Sequence, residues 1–93
     1  MRLFTLLFVL LVTLLPALSK EPVSDDHLYD QVRIRMANDR EIGGNAIEVK
    51  VTEGVVEISG KVRSDRQKDR AEKITRKVKG VKSVVNKLTV APV

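Results

Sequence analysis

Ile47 to Val62, with the sequence IEVKVTEGVVEISGKV, decides the fold, because apolar and polar residues alternate in it on both sides of a glycine. This period of two is typical of strands with one buried face, since successive side chains leave opposite sides of the backbone. The two runs meet at Thr52–Val55, where Gly54 can take the positive φ of a two-residue hairpin turn. We predict a β-hairpin with Gly54 in its turn and Gly60 on its apolar face. Because an isolated hairpin is marginally stable in water, other segments must cover that face.

A helix is predicted on the N-terminal side of the hairpin. Ser24 is a favourable N-cap, and the two aspartates that follow it suit the positive end of a helix dipole. Apolar residues then recur at intervals of four and form one stripe: Leu28, Val32 and Met36. The pattern ends near Asn38 or Asp39, and a glycine-containing loop leads from there into the hairpin.

A second helix and a third strand are predicted after the hairpin. Ser64, with Gln67 three residues later, forms a capping box. The apolar stripe of this helix consists of Ala71, Ile74 and Val78, and Gly80 is predicted to end it as a left-handed C-cap. The alternating segment from Val84 to Val90 follows as a strand, in which Asn86 is an unexplained polar member of the inner set.

These elements predict an α/β (α+β) fold in the order α-β-β-α-β. Both helices are expected to pack on one face of a small three-stranded sheet, because only one face of each strand is apolar. A helix between the second and third strands makes those strands parallel, with a right-handed crossover. The pattern leaves open whether the third strand lies beside the first or the second.

Residues 1–19 have the features of a secretory signal peptide. The apolar run Leu3–Leu15 is 13 residues long, shorter than the ~20 that a membrane-spanning helix needs. Small residues at Ala17 and Ser19 suit a signal peptidase that cleaves before Lys20. No cysteine follows the run, which argues against a lipoprotein. We therefore expect a periplasmic, exported protein.

The composition of the chain offers little catalytic chemistry. The expected mature chain is long enough for one domain, at residues 24–91, and it contains no cysteine to stabilise that domain as a disulfide. His27 is the single histidine and lies in the first turn of a helix. No nucleophile–base pair can be formed, and Gly43–Gly44 precedes a strand rather than a phosphate-binding helix. We expect a non-enzyme, with no metal site and no cofactor.

Charge divides the sequence into two unequal parts. Residues 20–60 hold five basic and nine acidic residues, whereas residues 61–82 hold ten basic and three acidic residues. With about 100° of rotation per residue, four basic side chains of the second helix fall within about 60° of one another. They are Arg66, Arg70, Lys73 and Lys77. These four are the candidate residues for binding anionic phospholipid at a membrane surface, where each contributes ~1 kcal/mol. An ordinary solvated face is the alternative.

The chain resembles the BON domain family (bacterial OsmY and nodulation) from about Asp25 to Val90. The similarity is carried by five segments in this order: the first-helix stripe Leu28, Val32 and Met36, then Ile47-x-Val49-x-Val51, Gly54-Val55-Val56-x-Ile58-x-Gly60-x-Val62, Arg70-Ala71-x-x-Ile74 and Gly80-Val81-x-x-Val84-x-Asn86-x-Leu88-x-Val90. The resemblance implies two helices on one face of a three-stranded sheet. It also implies a periplasmic or envelope protein that contacts phospholipid and protects membrane integrity under stress.

Nucleic acid and another protein are the two alternative kinds of partner. Binding of nucleic acid is disfavoured by the expected export and by the scarcity of aromatic side chains, since Tyr29 is the only one after residue 19. A protein–protein interaction module is the open alternative. It would associate through an uncovered sheet edge or by self-assembly.

Overall fold

The computed structural model of the protein describes residues 23–91 and confirms the predicted order of elements. These are α1 (Asp25–Ala37), β1 (Ile47–Thr52), β2 (Val55–Val62), α2 (Asp65–Arg76) and β3 (Ser83–Val90). The predicted signal peptide, at residues 1–19, lies outside the described residues.

The three strands form one mixed sheet in the order β1-β2-β3. β1 and β2 are antiparallel, with Thr52 opposite Val55 and Ile47 opposite Gly60. β2 and β3 are parallel, and Val55 lies opposite Ser83. The crossover through α2 therefore returns the chain beside β2, which answers the question of strand order that the sequence left open.

Both helices pack on the same face of the sheet, around a single core. Its buried residues come from both helices, from β2 and β3, and from the segment that follows each helix: Leu28, Val32, Met36, Ile42, Val56, Ile58, Val62, Ala71, Val78 and Leu88. The apolar side chains of the edge strand β1 are only half-buried, in contrast to those of the central strand. The opposite face of the sheet carries polar side chains, as the alternation predicts.

The hairpin turn is held by contacts on two sides. Gly54 has a φ of 82°, and Glu53 has a φ of 50°, so both central residues are left-handed as in a type I′ turn. The carboxylate of Asp25 accepts the backbone N–H of Glu53 at 2.8 Å and that of Gly54 at 3.0 Å. The backbone N–H of Lys82 donates to the carbonyl of Gly54 at 2.9 Å. We call Asp25, Glu53, Gly54 and Lys82 the turn clamp.

Gly60 allows two backbone segments to approach closely. It has a φ of 122°, and a Cβ at this position would lie 2.5 Å from the carbonyl oxygen of Ala46. Residues with a side chain rarely adopt this backbone conformation, and such a contact is below any van der Waals distance. Glycine is required at this position because the backbone of Ala46, the residue just before the neighbouring strand β1, passes so close to it.

Two polar residues inside the fold have their hydrogen bonds satisfied. Thr75 is fully buried, and its hydroxyl donates to the carbonyl of Ala71 at 2.8 Å. The side-chain amide of Asn86 donates to the carbonyl of Lys68 at 3.1 Å, and its oxygen accepts the N–H of Leu88 at 3.1 Å. Asn86 therefore joins β3 to α2, which explains a polar residue among the inward positions of the strand.

The two ends of α2 differ in how closely they follow the sequence pattern. Ser64 is the N-cap and accepts the N–H of Gln67 at 3.2 Å. The helix ends at Arg76 with Lys77 as its C-cap, so the expectation that Gly80 is the C-cap has to be corrected. Gly80 has a φ of 102° but lies in a later turn. The chain makes a tight turn after the helix, in which the N–H of Val78 donates to the carbonyl of Thr75 at 3.2 Å. This turn brings Val78 into the core.

Candidate anion-binding face on helix α2

Three of the four basic residues predicted on the second helix lie on the exposed side of α2, and the fourth, Lys77, is its C-cap. Ala71 and Thr75 face the core, and the sheet covers that side of the helix. The side chains on the opposite side are exposed to solvent: Arg66, Arg70, Lys73 and Lys77. We call these four residues the basic face. The structure places them together on one surface, although it gives them different neighbours.

Arg70 is engaged in the fold. Its Nε and Nη2 atoms donate to Oδ2 of Asp39 at 3.1 and 2.8 Å. The side chain of Asp39 is only 9% exposed, and its Oδ1 accepts the N–H of Glu41 at 2.9 Å. The hydrogen bond from Arg70 lowers the pKa of Asp39, with the N–H of Glu41 acting in the same direction, while desolvation opposes both. Asp39 in turn raises the pKa of Arg70. This pair ties the loop after α1 to α2.

Arg66 makes a weaker ion pair on the surface. Its Nη2 lies 3.0 Å from Oε1 of Glu41, and the Arg66 side chain is 82% exposed. Ion pairs this exposed contribute roughly 0.2–1 kcal/mol. The pair reduces the positive charge that Arg66 presents to solvent without fixing its side chain strongly. An anion at this surface can therefore compete with Glu41 for the guanidinium.

Lys73 and Lys77 make no ion pair with any residue between 23 and 91. They border an open depression of about 320 Å³ between the end of α1 and α2, which is also lined by Arg35, Asn38, Ile74 and the Asp39–Arg70 pair. Arg35 belongs to the last turn of α1 and also has no ion pair within the described range. We call Arg35, Lys73 and Lys77 the cation cluster.

Arg35 was not identified by the sequence analysis, which considered the helical wheel of α2 alone. Its position in the last turn of α1 is a recognisable signal, because cations are favourable near the negative end of a helix dipole. That signal does not indicate which other helix lies beside it. Only the packing of α1 against α2 brings Arg35 to the same depression as Lys73.

Several other charged side chains in the described part of the chain have partners. Arg76 pairs with Glu72 one helical turn earlier, at 2.8 Å. Lys87 of β3 pairs with Glu57 of β2, and this hydrogen bond lowers the pKa of Glu57. The three cations beside the depression thus have no ion pair in the described chain, and the same holds for exposed cations elsewhere, such as Lys61 and Arg63.

Within residues 23–91, no three His, Cys, Asp or Glu side chains lie close enough to hold a metal ion. None of the helices described is both long and apolar enough to span a membrane. What the basic face and the cation cluster can do chemically is to attract an anion and donate hydrogen bonds to it.

Comparison with known proteins gave two matches. Residues 24–92 match the family model of the BON domain. Over 64 residues the chain is 41% identical to osmotically-inducible protein Y of Escherichia coli (strain K12), a region that covers 69% of this chain and 32% of that protein. The chain therefore spans about a third of the length of this curated relative.

Proposed function

The chain belongs to the BON domain family, and on this basis we propose that it is a non-catalytic envelope protein that binds anionic phospholipid through α2. In this role it would support envelope integrity under stress. The name of the Escherichia coli relative describes that protein as osmotically inducible, which agrees with a role in stress. The lipid-binding residues are those of the basic face, joined by Arg35.

The observation that carries the proposal is the cation cluster. Arg35, Lys73 and Lys77 border one open depression and have no ion pair among residues 23–91, so their charge is available to an anionic headgroup. Each basic residue near an anionic membrane contributes ~1 kcal/mol, and three therefore contribute about 3 kcal/mol. Such binding is weak and reversible.

Arg66 and Arg70 have smaller parts in this proposal than Lys73 and Lys77. Arg70 already donates two hydrogen bonds to Asp39, and the approach of a phosphate would have to share or break them. Arg66 is held only by an exposed pair with Glu41 and can turn to a headgroup at little cost. We expect the order of contribution to be the two lysines first, then Arg66, then Arg70.

The non-catalytic assignment is part of the proposal. It is supported by the absence of cysteine from the sequence and by its single histidine, His27, whose side chain is exposed at the start of α1. The envelope location is supported by the signal-peptide pattern of residues 1–19. The intact mass of the exported protein tests the location, and we expect a chain that begins at Lys20. A mass that retains residues 1–19 would contradict cleavage.

Co-sedimentation with vesicles tests the lipid proposal. Wild-type protein should sediment with vesicles that contain anionic lipid, and not with purely zwitterionic vesicles. Binding should weaken steeply with added salt, because the screening length falls to ~8 Å near physiological ionic strength. The double variant Lys73→Glu/Lys77→Glu should lose most of the binding. Reversal of Arg70 is a poorer test, since it would place a second carboxylate against Asp39.

A matched control distinguishes binding by a specific face of the protein from attraction by its overall net charge. The variant Lys61→Glu/Arg63→Glu changes the net charge by the same amount at two exposed positions away from the depression. It should bind nearly as well as the wild type. Equal loss of binding in the two double variants would contradict a specific face, and failure of the wild type to bind at low salt would overturn the lipid proposal.

A further inference from the structure

β1 is an edge strand whose outer side is open. The sheet order places β2 on one side of it, and no strand among residues 23–91 lies on the other. Thr52 and Val55 flank the two-residue turn, so they form a hydrogen-bonded pair, and such pairs alternate along antiparallel strands. Lys50 and Glu48 therefore direct their backbone groups toward β2. The backbone groups of Val51 and Val49 point outward, as does the carbonyl of Ile47, whose N–H already donates to the carbonyl of Asn45 at 3.1 Å.

The side chains along this edge leave apolar surface uncovered. Ile47, Val49 and Val51 pack against the core but stay half-buried, whereas Val56 and Ile58 of the neighbouring β2 are fully buried. An open depression of about 250 Å³ lies beside β1, between it and the end of α1, and Ile47 and Val49 are among its lining residues. A further strand placed along β1 would cover these side chains and bond to their outward backbone groups.

The charges on β1 are arranged so that the strand complements itself. Glu48 and Lys50 are exposed on the outer face of the sheet, on either side of Val49 in sequence. If a second copy pairs antiparallel with Val49 opposite Val49, each Glu48 lies opposite a Lys50. On the inner face of the sheet, Ile47 lies opposite Val51 and the apolar contacts are continuous.

Neighbouring registers are disfavoured by the same two residues. Two identical antiparallel strands are related by a twofold axis, which lies at Val49 in this register. Moving that axis by one residue along the strand places Glu48 opposite its own copy, or Lys50 opposite its own copy. Like charges directly opposite each other are destabilising. A slip of one residue between the strands turns every side chain to the wrong face. The arrangement centred on Val49 is the one that satisfies backbone, apolar and charged groups together.

We propose that two copies of this chain associate antiparallel through β1, about a twofold axis at Val49, and so form one continuous sheet. The occupant of the edge is a second copy of the chain because the charge pattern is complementary to itself. The other edge offers no such pattern. Lys87 is the only charged residue of β3, and it is paired with Glu57.

Sedimentation equilibrium over a concentration series tests this proposal, with protein expressed from the full chain and without lipid. The wild type should dimerise reversibly. Lys50→Glu and Glu48→Lys should each weaken dimerisation by about tenfold or more, because two attractive cross-strand pairs become repulsive. The double variant Glu48→Lys/Lys50→Glu restores opposite charges in the same register and should return the dissociation constant to near that of the wild type.

Thermal melts of each variant check the fold, since Lys50→Glu also places an acid opposite Glu57 within the chain. Position 48 lies opposite Ser59, so Glu48→Lys creates no like-charge pair within the chain. A weaker dimer in that variant can therefore be assigned to the contact between copies. A wild type that stays monomeric up to about 1 mM, where association is worth only about 4 kcal/mol, overturns the proposal. Dimers that persist unchanged in both single variants, or that the double swap fails to restore, overturn it as well.

Discussion

The turn clamp and the cation cluster show two different uses of charge within one small domain. In the turn clamp, the carboxylate of Asp25 accepts two backbone N–H groups of the hairpin turn, so its charge is used inside the fold. In the cation cluster, Lys73 and Lys77 have no ion pair within residues 23–91. Charge that the fold uses should affect stability when removed, and charge that the fold leaves unused should affect binding.

Gly54→Val should have the largest effect on stability, because it breaks the turn clamp at its backbone. The glycine has a φ of 82°, and a Cβ there would lie 3.0 Å from the side chain of Lys82. A β-branched residue is strained at positive φ, and we expect a loss of about 2–3 kcal/mol in the free energy of unfolding. Urea titration measures it.

Gly44→Ala is the matched control for that substitution. No heavy atom lies within 4 Å of a Cβ built at Gly44, and its φ is not in the left-handed region. The urea midpoint of this control should stay close to that of the wild type or rise slightly. If Gly54→Val also leaves the midpoint unchanged, the turn does not depend on glycine.

Asp25→Ala should have the next largest effect, at about 1.5–2 kcal/mol, because two hydrogen bonds to a charged acceptor are lost. Asp26→Ala is the control. Asp26 is the neighbouring exposed acid in the same first turn, and its interaction with the helix dipole is worth roughly 0.3–1 kcal/mol. The difference between the two urea midpoints isolates the clamp. Equal midpoints would show that Asp25 acts only on the helix dipole.

Local patterns in the sequence predicted the elements of the fold because their signals lie close together in the chain. The alternation in the hairpin, the cap at Ser24 and the apolar stripe of α1 each depend on residues a few positions apart. The order of the strands could not be predicted in this way. It depends on which edge of the hairpin the crossover reaches, and both strands of the hairpin have an apolar inner face.

Contacts between distant residues explain what the sequence analysis missed. Asp25 fits a helix start equally well with or without a hairpin turn beside it, and the bond to Glu53 spans 28 residues. The helical wheel predicted an exposed Arg70, but it could not reveal a partner 31 residues away at Asp39. From the sequence alone the four residues of the basic face are equivalent, whereas their neighbours in the fold make them unequal.

The Asp39–Arg70 pair lies between the turn clamp and the cation cluster, because the fold uses its charges although Arg70 is exposed. This pair should make the stability of the protein depend on pH. Since the pKa of Asp39 is lowered from 3.8 by Arg70, its contribution is present above that value and is lost as pH falls through the lowered pKa. Asp39→Asn should therefore destabilise the protein at neutral pH. The gap in urea midpoint between variant and wild type should shrink as the pH falls below 3.8 and through the lowered pKa of Asp39.

A double-mutant cycle sharpens the pH test. Arg70→Gln should have a similar effect at neutral pH, and the double variant should be little worse than either single variant if both remove the same interaction. Additive losses would mean that Asp39 stabilises the loop through the backbone N–H of Glu41 alone. A loss from Asp39→Asn with none from Arg70→Gln would instead place Arg70 with the lysines, as charge that the fold does not use.

Lys73→Glu/Lys77→Glu should change stability least, by no more than about 0.5 kcal/mol, although it reverses two charges. Two acids there would attract Arg35 and Arg70, whereas they oppose the helix dipole and one of them follows Asp69 by four residues, and these contributions offset each other. The urea midpoint of this variant should therefore match that of the wild type. A loss above about 1 kcal/mol would show that the lysines take part in holding the fold. With the stability unchanged, any loss of vesicle binding by the same variant can be assigned to the surface it alters.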